Sequence, residues 1–127
     1  MPPRRRIDPT AGLAAVRAWQ RGPGAIGRPD LMTAVRFTLE ELAQSSPGGA
    51  LEVRVPPAGA VQALAGPSHT RGTPPGVVET DPTTWLELAS GDLTWDEALA
   101  SARVSASGQR ADLTACLPLV RRDRFDQ

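Results

Sequence analysis

The segment that decides the fold runs from His69 to Gly108. It reads His69-Thr70-Arg71-Gly72-Thr73-Pro74-Pro75, then Trp85-Leu86-x-Leu88-Ala89-x-Gly91, then Trp95 and Ala98, and last Val104-x-x-x-Gly108. A proline-set turn leads into an apolar helix pair and a closing strand. Asp81-Pro82 supplies an N-cap followed by proline at the first helical position, and Gly91 suits the C-cap of the helix that carries Trp85, Leu88 and Ala89. Thr94 and Glu97 stand at capping-box spacing, which opens a second helix holding Trp95, Ala98 and Leu99. Val104 to Ser107 is expected to return as a strand. The segment contains almost no catalytic vocabulary, so its chemistry points to burial of apolar material.

Working outward, Val77-Val78-Glu79-Thr80 reads as the strand that feeds Asp81. Before it, Leu51, Val53 and Val55 alternate with Glu52 and Arg54, the period of a strand with one buried face. Pro56-Pro57 ends that strand, and Ala60 to Leu64 follows as another with Val61 and Ala63 on one face. From Asp30 onward Leu31, Val35, Leu39 and Leu42 form an apolar helical stripe with Arg36, Glu40 and Glu41 on other faces, ending at Ser45-Ser46-Pro47-Gly48-Gly49. Asp8-Pro9 starts an earlier helix, to about residue 20, through Leu13, Val16 and Trp19. The breaker-rich stretch Gly22 to Pro29 predicts a linker that lets this helix sit apart from the main body. Residues 1–7, with Arg4-Arg5-Arg6, are expected to be a flexible solvated tail ahead of a helix over 8–21. Ala111 to Leu117 fits both a helical and an alternating pattern, and a short helix stopped by Pro118 is the reading adopted.

With 127 residues the chain has the length of one domain, 1–127, around one core. Fourteen arginines, without lysine, balance fourteen acids, so no overall field draws in nucleic acid or an acidic membrane. Arginine without lysine, beside abundant Ala, Gly and Pro, resembles the coding bias of a GC-rich bacterial genome. Cys116 is the only cysteine, which rules out an intramolecular disulfide and leaves the cytoplasm as the expected compartment. No apolar run approaches the roughly 18 residues of a membrane span.

Gly22-x-Gly24-x-x-Gly27 spells a dinucleotide fingerprint, but a helix precedes it where a strand is required, and Pro23 removes a donor. One His and one Cys, far apart, give no compact zinc set, so no metal or other cofactor is expected. Ser68 beside His69 lacks the nucleophile elbow of a Ser-His-Asp hydrolase, and no catalytic residue is assigned. In His69 to Pro75, Arg71 offers a fork for a carboxylate or phosphate, with His69 beside it as a second possible polar anchor. The same residues also suit a stiff turn in which Gly72 supplies the torsion and both side chains satisfy loop carbonyls. Trp85, Leu86, Leu88, Leu93, Trp95 and Leu99 read either as plain core or as pocket, because two large indoles rarely pack without gaps or a partner for N–H. Cys116 reads as an inert buried thiol.

Thr84-Trp85-Leu86-x-Leu88-Ala89-x-Gly91, the Ala98-bearing helix, Val104 leading to Gly108, and Leu113 with Leu117 resemble the small bacterial sterol-carrier-protein-like proteins, over about residues 30 to 120. With His69 to Pro75 and Val78-Glu79-x-Asp81-Pro82 the block also looks like the carboxy-terminal domain of actinobacterial mycothiol-dependent maleylpyruvate isomerases. The resemblance implies an α/β (α+β) fold of the SCP2-like kind: a five-stranded, largely antiparallel sheet with helices covering one face and enclosing an apolar tunnel. The metal-binding domain that carries the isomerase chemistry is not part of this sequence, so isomerase activity is not expected.

Two functions follow as expectations. In the first, the protein is a non-catalytic cytoplasmic binder of a lipid or fatty-acyl ligand, with Val35, Leu39, Leu42, Trp85, Leu88, Leu93, Trp95, Leu99, Leu113 and Leu117 lining the tunnel. In the second, the cavity has collapsed and the module docks a protein partner through apolar surface or the proline-rich loop. An enzyme centred on His69 and Arg71 stands third.

Overall fold

The structure is a computed structural model that describes residues 4–66, 76–109 and 111–122. Among these described residues four helices, four strands and one 3-10 turn follow in the order α1 (Pro9–Arg21), α2 (Arg28–Ser45), β1 (Leu51–Val55), β2 (Gly59–Ala63), β3 (Gly76–Thr80), α3 (Pro82–Ser90), α4 (Trp95–Ala100), β4 (Val104–Gly108) and Thr114–Cys116. The turn from His69 to Pro75, with both proposed anchors, lies outside the described residues.

Local chemistry sets the helix ends where the sequence places them. The Asp8 carboxylate accepts from Ala11 N at 3.0 Å and Asp81 from Thr84 N at 2.8 Å, each ahead of a proline that needs no partner for its nitrogen. Thr94 and Glu97 exchange both bonds of a capping box. Gly91 closes α3 at φ 85°, a left-handed torsion in which its missing Cβ removes the steric penalty.

The sheet order is β2-β1-β3-β4. β1 and β2 form an antiparallel hairpin with Val53 opposite Val61, and β3 and β4 are antiparallel with Thr80 opposite Val104. Between these pairs β3 lies parallel to β1, with Val53 opposite Val78. The expected fold class holds at the level of a mixed α and β architecture, but among the described residues four strands are found where five were expected. Ala111 to Leu117 adds no strand. The Asp112 carboxylate takes both Thr114 N at 2.8 Å and Thr114 Oγ1 at 2.6 Å, which curls the backbone into the 3-10 turn.

Leu51, Val53, Val55 and Val78 are buried on the inner face of the sheet, while Arg54 and Glu79 on the other face are exposed. The core joins that inner face to α2, α3 and, contrary to expectation, α1: Val16 and Trp19 are part of it. The helix does not sit apart, because Gly12 lets the Phe37 ring of α2 approach to 2.3 Å from where a Cβ would stand. Gln20 then fixes the far end of α1, donating to Ser90 Oγ and to Val120 O, each at 2.9 Å. Gly22 to Gly27 is simply the bend of a helical hairpin.

The supposed tail is also bound where it is described. Arg6 N and Ile7 N donate to the Glu40 carboxylate at 2.9 and 3.1 Å, and the Arg5 guanidinium pairs with Glu41. Ile7 packs partly buried against the core. Among the described residues no helix is long and apolar enough to cross a membrane.

Candidate functional site

Tethered residues 4–7, α2 and β2 enclose a half-open groove of about 790 Å³, within the range of roughly 300–1,000 Å³ usual for small-molecule sites. One wall is a row of α2 residues at helical spacing: Arg36, Leu39, Glu40, Ala43 and Gln44. The second wall is the β2 edge, from Ala58 through Val61 to Gln62, and the third is Arg4, Arg6 and Ile7. Ile7, Ala60 and Val61 give it accessible apolar surface, and Leu39, Ala43 and Ala58 lie buried behind them.

Polar groups gather around that surface. Arg36 holds its place by donating Nε–H to Ala58 O at 2.8 Å, which also ties α2 to the turn before β2. Glu40, the one carboxylate among the lining residues, already accepts the Arg6 and Ile7 backbone amides. Three arginines, Arg4, Arg6 and Arg36, therefore face the site with a single engaged acid between them. The arrangement suits an apolar body with an anionic head, and no lining residue carries a hydroxyl, thiol or imidazole nucleophile.

Of the ten residues expected to line a tunnel, only Leu39 borders this groove. Val35, Leu42, Trp85, Leu88, Trp95 and Leu113 are buried in the core cluster, and Leu93 and Leu117 pack partly buried against it. The Trp85 indole N–H donates to Thr38 Oγ1 at 2.7 Å, which answers its polar need inside the core. Leu99 is 42 % exposed on α4: Trp95 and Ala98 take the buried side of that short helix. Cys116 is half-buried, accepting from Ser46 Oγ at 3.5 Å.

The groove residues missed in the sequence are chiefly Ile7, Arg36, Ala43, Ala58 and Val61. Part of their signal was present. Arg36, Leu39, Glu40 and Ala43 repeat at three- and four-residue spacing on the flank of the buried α2 stripe.

Across residues 27–119 the chain matches the family described as bacterial SCP ortholog. The chain belongs to that family. The matched residues include α2, all four strands, α3 and α4, whereas residues 4–7 and α1 precede them. The resemblance to the maleylpyruvate isomerases is not shown by this match. No curated protein matches the chain.

Proposed function

We propose that this bacterial SCP ortholog is a non-catalytic, cytoplasmic binder of a fatty-acyl or similar lipid-type ligand, held in the groove between α2, β2 and residues 4–7. The observation that carries the reading is the groove itself: half-buried Ile7 and Val61 over a buried floor of Leu39 and Ala43, with arginines at its margin. Family membership supports a carrier role by analogy, since ligands change more readily than folds. The site differs from the expected tunnel through Trp85 and Leu88, which are core.

Magnitudes bound the affinity. Burying about ten methylenes contributes roughly 8 kcal/mol gross. Association costs an estimated 4 kcal/mol or more, which leaves a net affinity in about the millimolar to micromolar range. Such holding suits reversible transfer. The arginine margin adds preference for an acid over its ester, and an exposed charge contact of this kind is worth about 0.2–1 kcal/mol.

The experiment is a fluorescent fatty-acid titration of the wild type against Gly59→Trp. Gly59 lines the groove opposite Val55, on the inner face of the sheet, and a Cβ there meets nothing within 4 Å, so an indole obstructs the site without entering the core. Saturable binding that is lost in Gly59→Trp, with an unchanged melting temperature, is the expected result. Equal binding by both proteins removes the groove as the site.

A further inference from the structure

We propose that residues 4–7 are a strap that opens and closes the groove, with Glu40 and Glu41 as its latch, so that the strap sets how fast a ligand enters and leaves. The inference rests on the groove being the binding site and adds to that reading a kinetic control whose strap lies outside the family-matched residues 27–119 and whose latch lies within them.

The attachment is one-sided. Among the described residues the strap's hydrogen bonds to α2 all end on two neighbouring carboxylates: Arg6 N and Ile7 N on Glu40, and Arg5 on Glu41. No strand or helix includes residues 4–7. Charged contacts of partly exposed side chains are weak and are screened by salt. Ile7 gives the strap its aliphatic grip.

The closed position is held in part by the Arg5 guanidinium over the Phe37 ring, 5.9 Å from its centroid, but it also carries a penalty, because Arg5 Nη1 is buried with no hydrogen-bond partner. A buried unpaired donor favours the open state, where water satisfies it. A hinge is defined just beyond the strap. Asp8 caps α1, and Gly12 against Phe37 holds that helix to α2, so opening is confined to the four residues before the cap.

Lifting the strap removes one whole wall of the groove, including Ile7, Arg4 and Arg6. An acyl chain can then enter sideways, along Leu39 and Ala43, rather than thread end-on. On closure, Ile7 covers the chain and the two arginines return to the margin.

The test uses the full chain, a pyrene-labelled dodecanoic acid as probe, and Glu40→Gln/Glu41→Gln as the unlatched variant. Stopped-flow fluorescence gives probe association and dissociation rates. Trypsin cleavage after Arg5 and Arg6 reports strap opening without any ligand. Both probe rates are expected to rise about two- to thirtyfold in the variant, the range set by losing two partly exposed charge contacts, and cleavage to rise in parallel. The wild type in about 1 M salt, where screening acts within about 3 Å, is expected to show the same rise in dissociation rate and in cleavage and checks the result without mutation. Probe binding with rates and cleavage unchanged by both perturbations overturns the strap alone. Absence of probe binding to every form overturns the binding site and the strap together.

Discussion

Trp85 and Thr38, forty-seven positions apart, meet in a hydrogen bond of 2.7 Å in which the indole N–H donates to the threonine Oγ1. The Thr38 hydroxyl donates in turn into its own helix, at 2.8 Å to Ala34 O and 2.9 Å to Val35 O. Both residues are almost fully buried. Thr38→Val keeps the shape and leaves the indole N–H without a partner. The loss expected in chemical denaturation is about 1–3 kcal/mol, the desolvation cost of one buried orphan donor. A variant as stable as the wild type contradicts the assignment.

The same geometry places Trp85 in the core cluster. Trp85→Ala is expected to lose about 3–5 kcal/mol of stability, as a large ring leaves a cavity that its neighbours fill only in part. Unchanged stability together with altered probe uptake would restore the tunnel expected from the family resemblance.

Gly12→Ala opposes helix propensity to packing. Alanine is favoured over glycine by about 1 kcal/mol in a helix interior. Here a Cβ would stand 2.3 to 2.7 Å from three Phe37 atoms, so the ring or the helix pair must move. Overpacking of this kind typically costs 1–3 kcal/mol, and a net loss of stability is expected in thermal melts. A rise in melting temperature would show that α1 and α2 are less tightly joined.

Acid should loosen the start of α4. Backbone and side-chain hydrogen bonds from Thr94 hold the Glu97 carboxyl below its ordinary value of 4.5. A carboxyl lowered in the folded state contributes stability that is fully present above the unfolded value and is lost as pH falls through the folded one. Asp112, lowered by the Thr114 hydroxyl and amide, titrates with the same sign. Subtracting the melting profile of Glu97→Gln from that of the wild type isolates the cap. Expected is a wild-type advantage at pH 6 that disappears at pH 3; a difference constant with pH would show that the cap is not held by the charged form.

What was legible in the sequence was what local chemistry decides. Asp8-Pro9, Asp81-Pro82, Gly91 and the Thr94–Glu97 box mark helix ends by bonds made within a few residues, and all of them form. The alternation of Leu51, Val53 and Val55 gave the inner face of β1. The groove was not legible, because its walls come from residues 4–7, 36–44 and 58–62 and no local pattern brings them together. Arg4-Arg5-Arg6 reads as a tail until Glu40 and Glu41 are placed beside it. The Gly22 to Pro29 stretch shows that the chain bends but not how closely the helices approach. That is decided by Gly12 meeting Phe37, twenty-five positions later. In α4, Leu99 shares a nominal face with Trp95, yet the helix buries the side defined by Trp95 and Ala98 and leaves Leu99 in solvent.

The most direct test of the acyl-binding groove is an amide NMR titration of the protein with dodecanoate. Saturable shifts concentrated in Arg6 and Ile7, in Leu39 to Gln44 and in Ala58 to Gln62, with the amides around Trp85 and Leu88 nearly still, are the predicted result. Shifts centred on Trp85, Leu88 and Leu113, or none at any concentration below micelle formation, would contradict it.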